Sequence, residues 1–126
     1  QTNCISFIVL YFDDLFFGKE ITLHYTERIF VFYDNTPIKK QEVTVKLSEL
    51  FKFISLRLTG VKKDSDFIKA VSSFREGYNV STQDALILKN KFEQLKLIES
   101  TVDNNNVEII KLTLSGIEMM NKLNAD

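Results

Sequence analysis

Adjacent carboxylates at Asp13 and Asp14, inside the apolar stretch FIVLYFDDLFFG (residues 7–18), are the first side chains of this chain that could do chemistry. A pair of aspartates can hold divalent ions for nucleotidyl transfer, but a two-metal site also needs a third carboxylate from another strand and a framing sheet. Glu20, Glu27 and Asp34 follow at no spacing that suits metal ligation. The pair therefore reads as the solvent side, or the end, of an N-terminal element whose aromatics pack on the core or on a second subunit. His24, the single histidine, lies in an alternating run and reads as the outward face of a strand rather than a base or ligand. Cys4 is the one cysteine, so no internal disulfide and no cysteine-rich zinc site can form, and no histidine is patterned to activate it. The four glycines, at 18, 60, 77 and 116, build no phosphate-binding loop. The expectation is a protein that is not an enzyme and uses no metal or cofactor.

A different chemistry is offered by STQDALILKNKFEQLK, residues 81–96. Wound at about 100° per residue, this segment buries Ala85, Leu88, Phe92 and Leu95. Its opposite side carries Gln83, Leu86, Asn90 and Gln94, flanked by Lys89, Lys91 and Lys96. Glutamine and asparagine can pair bidentately with adenine, and an aliphatic side chain can touch a thymine methyl. Ser81 and Thr82 can donate to a phosphate where the helix begins. The competing reading is a solvated polar face, with Leu86 and Ile87 docking on another protein.

Elements must position that face. Ile21, Leu23 and Tyr25 alternate with polar residues, residues 29–33 form a second β-branched and aromatic run, DNTP at 34–37 is turn chemistry, and EVTVKL at 42–47 alternates again. These predict three short strands in a small antiparallel sheet. Residues 3–17 fit a helix ending at Gly18 or a strand pair turning at Asp13-Asp14. Ser48 opens a helix to about Leu58, burying Leu47, Leu50, Ile54 and Leu58, with Gly60 as its stop. Asp64 or Ser65 opens a second, with the stripe Phe67, Ala70, Val71, Phe74 and Gly77 at its close. Ser81, with Asp84 three residues on, is a capping box for the third. LIESTV, DNNN and VEIIKLTL then read as strand, turn, strand, and SGIE (115–118) as a second capping box opening a final helix through Leu123. Lys62-Lys63, between the first two helices, is a charge pair that solvent or a phosphate would satisfy.

The order helix, helix, helix, hairpin is that of the winged helix-turn-helix, in which two packed helices hold a third against the major groove and the hairpin reaches beside it. The predicted fold class is α+β, a winged helix-turn-helix with a small N-terminal antiparallel sheet. It forms a single domain over residues 1–126, with the sheet at 20–47 and the helices, wing and C-terminal helix at 48–123. The stretch from STQDALILKNKFEQLKLIES through DNNNVEIIKLTLSGIEMM resembles the C-terminal part of MarR-like regulators, whose wing runs into Leu-Thr-x-(Ser/Thr)-x-x-Gly; here Leu112-Thr113-Leu114-Ser115 is followed at once by Gly116. The earlier part resembles the effector domain of OmpR-like response regulators, with YDNTPI preceding VKLSELFKFI. Together the two likenesses cover residues 20 to 123. They imply a sequence-specific DNA-binding transcription regulator that reads double-stranded DNA with the helix at 81–95 and a wing at 96–113. The implied contacts are Ser81, Thr82, Gln83, Leu86, Lys89, Asn90 and Lys91 on the helix and Asn104, Asn105 and Asn106 on the wing, where MarR-like wings carry an arginine.

Composition constrains that expectation. Sixteen basic against seventeen acidic residues leave a net charge of −1, without the basic excess typical of chains that grip many phosphates. A winged-helix module that joins a larger assembly without nucleic acid is therefore the alternative. A hydrophobic fraction of 44% in 126 residues suffices for one real core without staples. The longest apolar run, residues 5–12, is too short to span a bilayer, and the single cysteine fits a reducing, cytoplasmic setting. Of eleven phenylalanines, eight precede residue 54. That load exceeds the needs of one face of a small sheet and points to a homodimer, or to another protein partner held by the aromatic N-terminal third.

Overall fold

The structure is a computed structural model, and it describes residues 18–28 and 39–125. The expected element at 3–17, the second expected strand at 29–33 and the turn at 34–37 lie outside these residues, as do Cys4, Asp13 and Asp14. The described elements, in order, are β1 (Glu20–Glu27), β2 (Lys40–Lys46), α1 (Leu47–Ser55), β3 (Lys62–Lys63), α2 (Asp64–Ser72), β4 (Tyr78–Val80), α3 (Thr82–Gln94), β5 (Ile98–Val102), β6 (Glu108–Leu112) and α4 (Leu114–Asn124). The class is α+β, with two small antiparallel sheets.

The first sheet has the order β2-β1-β4. Period-two alternation sorts its two faces: Leu23 stands opposite Val43 and Ile21 opposite Val45, with Leu23, Val43, Val45 and Tyr25 buried. The outer face bears Thr22, whose hydroxyl meets that of Thr44 at 2.8 Å, and His24 opposite Glu42. The third strand of this sheet was not legible in the sequence. It is Tyr78–Val80, just ahead of α3, where Tyr25 pairs with Val80. Leu47, expected to end a strand, instead begins α1, which runs to Ser55 with Lys46 in the cap position.

The second sheet has the order β3-β6-β5. β5 and β6 form a hairpin, with Ile98 opposite Leu112 and Ser100 opposite Ile110, and the two-residue β3 pairs its Lys62 and Lys63 with Ile110 and Ile109. The lysine pair therefore belongs to a strand rather than to a free loop. The hairpin turn is held by Asp103, whose carboxylate accepts the amides of Asn105 and Val107 at 2.8 and 2.9 Å. Asn106 takes φ +63°, a conformation asparagine tolerates.

The core lies where α1, α2 and α3 meet. Phe51 and Phe67 present their rings at 77° and 80° to that of Phe92, with centroids 5.2 and 6.3 Å apart, the edge-to-face arrangement aromatic pairs favour. Tyr25 sends its hydroxyl to the carbonyl of Val71 at 2.8 Å, tying the first sheet to the end of α2. Burial pushes that phenol up to about 12, so it remains a donor.

Two helix ends depend on backbone geometry. After α3 the amides of Lys96 and Leu97 return to the carbonyls of Glu93 and Phe92, both at 3.0 Å, while Lys96 takes φ +63°. This is a Schellman closure with a lysine where glycine is the usual choice. α4 opens at Leu114 under the hydroxyl of Thr113, which accepts the Gly116 amide at 2.9 Å. The cap thus falls two residues before the expected Ser115 and, with a glycine three residues on, the expected box does not form. The early glycine has a physical reason: a Cβ on Gly116 would sit 2.0 Å from the carbonyl oxygen of Leu97. Gly116→Ala should lose about 2–3 kcal/mol in urea unfolding, against little change for the exposed neighbour Ser115→Ala. Lys96→Gly should gain about 0.5–1 kcal/mol in the same measurement by relieving the left-handed residue.

Candidate nucleic-acid interface

α3 runs for thirteen residues from a Ser81 cap whose hydroxyl oxygen accepts the Asp84 amide at 3.1 Å. Only half of the expected capping box forms, because the Asp84 carboxylate turns to the first sheet. There it accepts the His24 backbone N–H at 2.6 Å and stands 2.7 Å from His24 Nδ1. The Ser81 amide in turn donates to the His24 carbonyl at 2.8 Å. The other ring nitrogen of His24 lies 3.1 Å from Glu42. His24 is thus outward on its strand, as its alternation predicts, and it also bridges β2 to the first turn of α3. A lone histidine in a strand carries no sequence signal for that role.

The outward side of α3 carries Thr82, Gln83, Leu86, Asn90 and Gln94, all exposed. Leu86 keeps 53% and Ile87 43% of its surface open. Lys91 is half-buried, as is Ser81, whose hydroxyl oxygen serves the cap and whose amide is engaged by the His24 carbonyl. At the hairpin tip Asn104, Asn105 and Asn106 are exposed.

Lys89 departs from expectation. It retains 6% of its surface, and its ammonium is engaged by Asp64 at 2.7 Å and Glu108 at 2.6 Å, joining α3 to α2 and to β6. Burial alone would lower its pKa, but the hydrogen bonds its ammonium donates to the two carboxylates outweigh that and hold it above the ordinary lysine value. A side chain held this way cannot reach a phosphate. The signal was present in the sequence: position 89 is four residues after Ala85 and three before Phe92, so it lies on the buried stripe, which apolar residues alone did not reveal.

Among the described residues, no group of three histidine, cysteine, aspartate or glutamate side chains is placed to hold a metal ion, and no helix is long and apolar enough to cross a membrane. Phe51, Phe67 and Phe92 are core residues, while Phe53 and Phe74 pack edge-to-face at 5.2 Å; the other six phenylalanines lie outside the described residues. No family model, curated protein or solved structure matches the chain.

Lys89→Met should destabilise the fold by about 1–2 kcal/mol in urea unfolding. That is less than for a fully buried pair, because Asp64 and Glu108 are themselves half-exposed and can rehydrate. His24 gives a pH signature. Its hydrogen bond to Asp84 is the largest cause holding its pKa above the ordinary 6.5, so its contribution to stability is complete below pH 6.5 and is lost as pH rises through the folded-state value. Unfolding measured across that window should show this decline, and His24→Gln should flatten it.

Proposed function

We propose that the chain is a winged helix-turn-helix protein that binds double-stranded DNA in a sequence-specific way, as a transcription regulator. The observation that carries this reading is the order α1, β3, α2, β4, α3, β5, β6, with β3 closing a three-stranded sheet against the hairpin and one side of α3 exposed. A helix supported from behind and flanked by a β-hairpin is the shape that enters a major groove. Thr82, Gln83, Leu86, Asn90 and Lys91 supply its contacts, with Ser81 behind them and Asn104, Asn105 and Asn106 reaching the neighbouring backbone or minor groove. Two such chains would read two half-sites as a homodimer.

Groove contacts on this face are amides and aliphatics, so the reading predicts more discrimination than raw affinity. Gln83→Ala and Asn90→Ala should each relax the preference among duplexes by about 1–3 kcal/mol at one base position. Lys91→Ala should weaken all duplexes alike and lower the salt slope by about one. A gel shift over a salt series checks both, and unchanged binding by the Gln83→Ala/Asn90→Ala double variant would sink the groove assignment.

One observation favours a second reading, a winged-helix module that binds another protein within a larger assembly. Leu86 and Ile87 are large, exposed and consecutive on the outer part of α3, while the Lys89 charge is held inward by Asp64 and Glu108. Under that reading no duplex binds at any salt concentration, and Leu86→Asp abolishes the association with the partner.

A further inference from the structure

A cleft of about 600 Å³ lies where the end of β1, the outer side of α2, β4 and the start of α3 converge. Its walls are Arg28, Ile68, Lys69, Ser72, Ser73, Asn79, Val80 and Thr82. We propose that this cleft, which brings a guanidinium, an ammonium and the buried Ser72 hydroxyl together with no carboxylate among its described lining residues, binds the phosphate group of a phosphate-bearing ligand.

Charge makes the first part of the case. Both Arg28 and Lys69 are exposed, and among the described residues neither has a carboxylate partner. Lys89 shows the contrast, since in this chain a cation meant for structure sits between two acids. Two cations without an acid partner around one concavity, and no acid in its lining among the described residues, attract an anion. A planar guanidinium beside a point-like ammonium suits tetrahedral oxygens, one offering a fork and the other a single strong contact.

Hydrogen bonding makes the second part. Ser72 retains only 7% of its surface, and its oxygen accepts the Val80 amide at 3.1 Å. Its hydroxyl proton has no acceptor among the described residues, although a buried hydroxyl ordinarily finds one. An anion oxygen in the cleft would supply that acceptor. Asn79 and Thr82 are exposed on the rim and add an amide and a hydroxyl. The site meets the proposed DNA face only at Thr82 and does not rest on it. A phosphodiester of the backbone and the phosphate of a free small molecule present the same oxygens.

Amide NMR spectra of the whole chain, recorded with increasing inorganic phosphate, test this. The expected result is saturable movement of the Asn79 and Thr82 resonances, with affinity roughly tenfold or more weaker in Arg28→Gln/Lys69→Gln. Lys69→Arg should retain binding. The two exposed cations can be removed without disturbing the core, so resonances elsewhere should stay in place. Thymidine monophosphate and a mixed-sequence duplex, added separately, distinguish the sources. A duplex that displaces phosphate assigns the cleft to a nucleic-acid backbone, whereas binding by the nucleotide alone assigns it to a small phosphorylated ligand, and either supports the site. Resonances that do not move, or that move equally in the double variant, overturn it. Duplex binding with a silent cleft would remove the cleft and leave the DNA reading intact.

Discussion

Phe92 is the point on which the helices of this protein turn. Its ring packs edge-to-face with Phe51 from α1 and Phe67 from α2, and its carbonyl accepts the amide that closes α3. A side chain this large and fully buried admits one rotation of its helix, because turning α3 would open a void the size of a benzene ring while driving polar residues into the core. With Phe92 inward, Ala85, Leu88 and Lys89 are inward too, and Gln83, Leu86, Asn90 and Gln94 face out. The candidate binding face is thus set by packing on the other side of the helix. Closure after Phe92 then fixes Leu97, whose carbonyl receives the Thr113 amide and against which Gly116 packs. One aromatic residue in this way governs the start of α4 as well.

The first sheet is tied to the rest at two places that differ in chemistry. Tyr25 is anchored from within, its ring buried and its hydroxyl on the Val71 carbonyl. His24, one residue earlier and on the opposite face, is anchored from without, through an exposed contact to Asp84 and Glu42. The inner tie is insensitive to pH over the physiological range, whereas the outer one carries an ionisable histidine whose pKa the Asp84 hydrogen bond holds above its ordinary value. Since Asp84 lies in the first turn of α3, the outer tie holds the start of the helix whose exposed side the proposed function uses. Its carboxylate also complements the positive end of that helix.

Charge is distributed with a division of labour. Of the lysines near α3, Lys89 neutralises Asp64 and Glu108 and acts as a structural pin between three elements. Arg28 and Lys69, around the cleft at the other side of the helix start, have no carboxylate partner among the described residues. A net charge of −1 therefore averages over regions of very different character, and the whole-chain figure says little about where an anion would bind.

Periodicity alone determined much of this protein. The alternation of Ile21, Leu23, Tyr25, Val43 and Val45 defined two strands and their buried face, and the stripes of α1, α2 and α3 defined three helices and most of the core, because burial on one side leaves a repeat of two or of 3.6 in the sequence. Asp103 and the asparagines marked the hairpin turn through their local hydrogen bonds. Long-range pairing had no such repeat to leave. The two-residue β3, the joining of Tyr78–Val80 to β1, the bridge from His24 to Asp84 and the burial of Lys89 between two acids each join residues distant in the chain. A lysine reads as solvated until the fold brings carboxylates to it, and Gly116 reads as misplaced until the Leu97 carbonyl arrives beside it. The residues that could touch a partner were written in the sequence; which of them remained free to do so was decided only when the elements packed.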